Sequence, residues 1–199
     1  MSAAVNTKNI EHAAAANRTV LGFWIYLMTD CVLFASLFAT YAVMRGATNG
    51  GPSGAELFDI PYVLVETLLL LTSSFTCGLA MVALQKRNKD AVIQLLFLTF
   101  VLGVAFVGLE VSEFHKLAAE GHSWMASGFL SSYFTLVATH GLHICVGLLW
   151  LTVMTVQITR KGLGGNTPKR LTLFSMFWHF LDVVWIFIFS VVYLWSGIV

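Results

Sequence analysis

Charge is what this sequence has least of. Of its 199 residues only 11% are Asp, Glu, Lys or Arg, against 58% hydrophobic, and the mean hydropathy is +0.82. An ordinary soluble domain carries about a quarter charged residues, so that class is excluded. Cysteine is scarce as well: Cys31, Cys77 and Cys145 stand far apart with no C-x-x-C spacing, which leaves them as small packing residues and excludes a disulfide framework or a cysteine metal set. There is no G-x-S-x-G, no Walker sequence, no H-E-x-x-H and no Gly-rich dinucleotide fingerprint. No basic face is large enough for nucleic acid, and no internal repeat, low-complexity tract or second domain is evident.

Long apolar runs are what the sequence does have. A helix needs about 20 apolar residues to cross the hydrocarbon core, and five runs of that order lie at 21–44, 62–84, 91–111, 129–157 and 171–196. Backbone groups in lipid must be satisfied within the segment, so these are helices. The expected fold is all-α, an integral membrane bundle of five transmembrane helices forming one domain over 21–199. The breaks containing Lys86, Arg87 and Lys89, and Arg160, Lys161, Lys169 and Arg170, are basic and hence cytoplasmic. That places the N-terminus, with a segment over 1–20, in the cytoplasm and the C-terminus in the periplasm. Residues 1–19 hold no signal-peptide core, so the first run is expected to stay as an anchor; the alanines at 13–16 suit a short surface helix. Gly50, Gly51, Pro52 and Gly54 mark a turn-rich outer loop, and Pro61 suits the first turn of the second helix.

Ionisable groups inside such runs are expensive and each raises a functional hypothesis. Asp30, His140, His143, His179 and Asp182 fall near mid-membrane, and Glu66, Glu110 and Glu113 towards the outer face. At about 100° per residue, Ser175, His179, Asp182, Ser190 and Tyr193 share one stripe of the fifth helix, and Ser132, Thr135, Thr139 and His143 one stripe of the fourth. The short loop between these helices makes them antiparallel neighbours. A His-to-Asp hydrogen bond between them is therefore the simplest way to offset burial of either group. Asp30 is expected to pack as a hydrogen-bonded carboxyl, Glu110 and Glu113 to act as interfacial anchors, and Glu66 to be favoured in its charged form by a helix N-terminus. Glu110 and Glu113 beside His115 have half the pattern of a di-metal bundle site, but its second E-x-x-H is missing. Trp178 and Trp185, seven apart, share a face and pack; Trp24, Trp124 and Trp195 suit the membrane interface.

These residues carry a resemblance. ATHGLHICVG at 138–147, followed by FWHFLDVVWIF at 177–187, resembles subunit III of the haem-copper terminal oxidases. The likeness extends to GFWIYLMTDCVLFASLFATYA at 22–42, to YVLVETLLLLTSS after Pro61 and to EVSEFHKL at 110–117, and so covers nearly everything beyond residue 20. Forms of that subunit in cytochrome c oxidases commonly have seven helices and a glutamate where this chain has Asp30. Five helices, an aspartate, and the segments LMTDCVLF and GGPSGAELFDIPYVLVET are similar to the cytochrome bo-type ubiquinol oxidase branch. What holds for the longer carboxyl need not hold for Asp30.

The resemblance implies an accessory subunit of a proton-pumping ubiquinol oxidase in the bacterial inner membrane, with no catalytic or metal residue of its own. Haems and copper would belong to subunit I, which this chain would pack against, with subunits II and IV as further partners. It would hold phospholipid and support assembly and proton uptake. Asp30, His140, His143, His179 and Asp182 would be buried packing positions, Glu66, Glu110 and Glu113 outer carboxyls, and lipid contact would lie near Asp30 and Trp24. Two other readings stay open on the residues alone. One is a haem-binding cytochrome using His179 with His140 or His143; the other is a proton-coupled carrier, which the lack of paired broken helices argues against.

Overall fold

The computed structural model describes residues 2–51 and 54–195, with side chains placed for 18–51, 54 and 57–195. The side chains at 13–16 and the final residue of the fifth run lie outside the described residues. All regular elements among the described residues are helical: α1 (Ser2–Met44), a short α2 (Gly54–Leu57), α3 (Ile60–Gln85), α4 (Lys89–Ala119), α5 (Gly128–Lys161) and α6 (Thr167–Ile188), which continues through a wider π-type turn over Phe189–Leu194. Five stretches are long and apolar enough to cross a membrane: Arg18–Met44, Ile60–Gln85, Lys89–Ala119, Gly128–Lys161 and Thr167–Leu194. The five expected crossings are all present.

Their ends follow local chemistry. Pro61 and Pro168 sit in the first turns of α3 and α6, where a missing N–H costs nothing. Asn88 and Ser127 cap α4 and α5, their side-chain oxygens accepting from the N–H groups of Ala91 and Leu130. Hydropathy marked α4 only to residue 111, yet the helix runs on to Ala119. The added turns, SEFHKLAA, are half polar but contain no Gly or Pro, so the helix outlasts its apolar stretch. α5 likewise continues to Lys161 and stops at Gly162, whose φ is +72°.

α6 occupies the middle of the bundle, against α1, α3 and α5; α3 and α4 form an antiparallel pair, α4 also packs on α5, and α1 lies at the edge against α5 and α6. Phe174, Trp178, Leu181, Trp185 and Ile188 of α6 are almost wholly buried. Large apolar side chains such as Val32, Phe75, Phe97, Leu142 and Leu149 point outward, as suits surfaces facing lipid or other chains. Lipid tails are as apolar as Leu, so burial alone does little to hold the helices together. Close packing and interhelical hydrogen bonds must do it, and both converge on α6.

Candidate functional site

The densest polar contacts run along the seam between α3 and α6. Trp185 Nε1 donates to Thr67 Oγ1 at 3.0 Å and Trp178 Nε1 to Ser73 Oγ at 3.1 Å. His179 Nδ1 lies 2.6 Å from Ser74 Oγ. The hydroxyls of Thr67 and Ser73 donate to the carbonyls of Val63 and Leu70 on their own helix, so their lone pairs are free to accept from the indoles. Thr76 carries the pattern to α4 through Thr99, at 2.8 Å. Asp182 faces Ser74 and His179, and its Oδ1 is buried with no partner among the described residues.

Space for the Trp178 indole comes from two glycines. A Cβ on Gly147 would stand 2.8 Å from its Cζ3, and one on Gly103 would stand 3.1 Å from its Cη2. Neither α4 nor α5 could approach α6 this closely with a larger residue. Trp178 and Trp185 therefore pack on one face as expected, and each also places its one polar atom.

A second seam joins α1 and α5. Asp30 Oδ2 is 3.9 Å from His143 Nε2, while His143 Nδ1 donates to the Thr139 carbonyl at 2.7 Å. The Tyr26 hydroxyl also reaches Asp30. His140 is fully buried among the rings of Phe34, Phe106 and Trp185, with centroids 5.2–6.2 Å away, and neither of its nitrogens has a partner among the described residues. The expected His-to-Asp contact between the fourth and fifth crossings is not formed. α5 and α6 are neighbours, but the α5 stripe turns His143 towards α1, and α6 turns His179 and Asp182 towards α3. Asp30, His140 and Asp182 are buried, whereas His143 and His179 are only partly so; Thr135 and Ser190 of the two stripes are exposed.

The carboxyls gather towards the end of the bundle that holds α2. Glu66 and Glu110 are buried, with all four oxygens lacking a partner among the described residues. Glu110 lies against the backbone of Gly141, where a Cβ would come 2.5 Å from Oε1. The expectation that Glu110 is an interfacial anchor is thus overturned: a glycine on α5 draws the carboxyl inward between helices. Glu113 accepts from Tyr193 Oη at 3.2 Å, and Tyr193 Oη lies 3.0 Å from Tyr133 Oη. It also lines a cavity of about 130 Å³ with Asp59, Tyr62 and Lys116. Trp24, by contrast, is half exposed on the outside of α1.

The histidines do not fit a haem. His140 is enclosed by aromatic rings, His143 faces Asp30 in the α1/α5 seam, and His179 is bonded to Ser74 in the α3/α6 seam, so no two of them bracket a space for a porphyrin. Among the described residues no group of three His, Cys, Asp or Glu side chains is arranged to hold a metal ion. Sequence reasoning passed over Thr67, Ser73, Ser74 and Gly147. One signal could have found two of them: Thr67 and Ser74 are seven apart and so share a face of α3, as Trp178 and Trp185 share one of α6.

Fold and contacts together define a polytopic membrane protein whose central helix α6 is joined to α3 by polar side chains inside the membrane. The profile of the family described as cytochrome c oxidase subunit III matches residues 4–197, and the chain belongs to that family. It is 56% identical over 187 residues to the cytochrome bo(3) ubiquinol oxidase subunit 3 of Pseudomonas aeruginosa, covering 94% of this chain and 89% of the relative. The protein of the same name from Pseudomonas putida is 54% identical over 176 residues, covering 88% and 85%. That from Buchnera aphidicola subsp. Baizongia pistaciae is 43% identical over 180 residues, covering 90% and 93%. The resemblance read from the motifs, including its branch, is borne out, and the chain is a multi-pass protein of the bacterial inner membrane.

Proposed function

We propose that this chain is the accessory subunit III of a proton-pumping haem-copper quinol oxidase that passes electrons from ubiquinol to oxygen. It packs chiefly against subunit I, which carries the haems and copper, with subunits II and IV in the same complex. It stabilises assembly, holds phospholipid and supports proton uptake by subunit I, and has no catalytic centre of its own. The likeness to cytochrome bo(3) ubiquinol oxidase subunits 3 along almost the full chain carries this reading. The side-chain contacts support it: Trp178, Trp185, Ser74 and His143 bond or face neighbouring helices of the same chain.

Its N-terminus lies in the cytoplasm and its C-terminus in the periplasm, so Glu66, Glu110 and Glu113 belong to the periplasmic half. The test is to tag the chain, purify it from native membranes in mild detergent, and assay the eluate for quinol-dependent oxygen consumption. Activity together with larger haem-bearing chains is the expected result. An inactive eluate holding this chain alone, from membranes that do oxidise quinol, would refute the assignment.

A further inference from the structure

The α3/α6 seam has one polar atom left over on its outer side. His179 Nδ1 is taken by Ser74, but Nε2 has no hydrogen-bond partner among the described residues and looks across Gly78, where an added Cβ would meet nothing closer than that nitrogen at 4.0 Å. Ser74, Phe75, Gly78, Leu79 and His179 line an open groove of about 330 Å³ there. Phe75 is 67% exposed and Leu79 39%; the groove's surface is almost wholly apolar, with the His179 imidazole as the polar group at its floor. Behind it, Asp182 is 8% exposed with Oδ1 unpartnered, and it faces Ser74 and His179.

Depth decides what can cover this floor. Ser74 and His179 fall near the middles of Ile60–Gln85 and Thr167–Leu194, on the order of 15 Å from either headgroup layer of a core roughly 30 Å thick. An acyl chain offers no hydrogen bond, a headgroup cannot descend that far, and an unsatisfied polar group in hydrocarbon costs several kcal/mol. A transmembrane helix can supply the missing bond at that depth. Ser74 and Gly78 are four apart on one face of α3, the small-xxx-small spacing that lets two helix backbones approach closely.

We infer that the α3/α6 groove is the docking site for a transmembrane helix of a partner subunit, which seats its backbone on Gly78 and hydrogen-bonds His179 Nε2 through a hydroxyl or carboxamide side chain. Such a group serves whichever tautomer His179 holds, since it can either donate or accept. The inference rests on the proposed membership of an oxidase complex and names the surface used.

The test uses the intact complex, isolated through a tag on a haem-bearing subunit. A photoreactive benzoylphenylalanine replaces Phe75 or Leu79, and separately Gly78→Leu is compared with Gly108→Leu, a change at an outward glycine of α4 that has nothing within 4 Å. Expected are covalent adducts to a membrane segment of another oxidase subunit, and a roughly tenfold fall in retained chain for Gly78→Leu, equivalent to about 1.4 kcal/mol of docking, with none for Gly108→Leu. Adducts only to lipid, to a quinone or to a second copy of this chain would overturn the inference, as would equal retention of the Gly78→Leu and wild-type chains or equal loss from both glycine variants. If the wild-type chain is itself absent from the complex, the functional reading fails first; if it is present and the groove tests fail, only the docking site is lost.

Discussion

Gly147 shows how much a single residue settles here. With a Cβ at that position 2.8 Å from the Trp178 ring, Gly147→Val must push the indole out of its slot and away from Ser73. Overpacking of this kind costs about 1–3 kcal/mol, so the variant is expected to lower the thermal midpoint of the purified complex, while Gly108→Val on the outside of α4 leaves it unchanged. Glu66 predicts the opposite sign. Its two oxygens are buried with no partner among the described residues, and replacing an unsatisfied polar group by an apolar one of similar shape is nearly neutral or stabilising. Glu66→Met is expected to be retained in the complex with an unchanged or raised thermal midpoint. A lowered midpoint would show that another subunit supplies the missing hydrogen bonds. A preserved midpoint with lost oxygen consumption would assign the carboxyl a role in turnover.

At the level of elements, α6 is joined to α3 by two indoles and an imidazole, each meeting a hydroxyl. A double-mutant cycle isolates one such bond: Trp178→Phe, Ser73→Ala and the pair, with subunit retention or thermal stability as the readout. The expected coupling is about 0.6–2 kcal/mol, the range for interhelical hydrogen bonds in membranes; zero coupling would mean that the indole contributes by shape alone. The crossings were legible in the sequence because apolar length alone decides them, and Pro61 marked its helix start because a missing N–H is tolerated there. The polar pairing was not legible. Periodicity puts His179 and Asp182 on one stripe but says nothing about which neighbour that stripe faces, and loop length made α5 the natural guess. The hydroxyls of α3 looked like filler in an apolar run, and the inward turn of Glu110 depends on the absence of a side chain at Gly141, a contact between helices distant in sequence.

For the whole molecule, charge sets direction. The turns between α3 and α4 and between α5 and α6 lie at the same end, and they and the helix ends beside them hold Lys86, Arg87 and Lys89 at the first and Arg160, Lys161, Lys169 and Arg170 at the second. Contacts at that end tie neighbouring helices together: Lys89 Nζ donates to the Thr159 carbonyl, and Arg170 Nη1 to Gln157 Oε1. The opposite end carries Asp59, Glu113 and Glu120 around the Lys116 cavity, and its Arg45 guanidinium stacks 4.0 Å over the Trp195 ring. Lys and Arg near the ends of crossings are retained on the cytoplasmic side, which is the ground for the orientation proposed above. A reporter that works only in the periplasm should therefore be active when fused after Val199 and silent when inserted at Gly164 in the α5–α6 turn, and a cytoplasm-only reporter should give the reverse. The reverse pattern for both reporters would invert the bundle and move Glu66, Glu110 and Glu113 to the cytoplasmic half. It would leave the groove at Gly78 at mid-depth, because that position is set by distance from both helix ends and not by which end faces the cytoplasm.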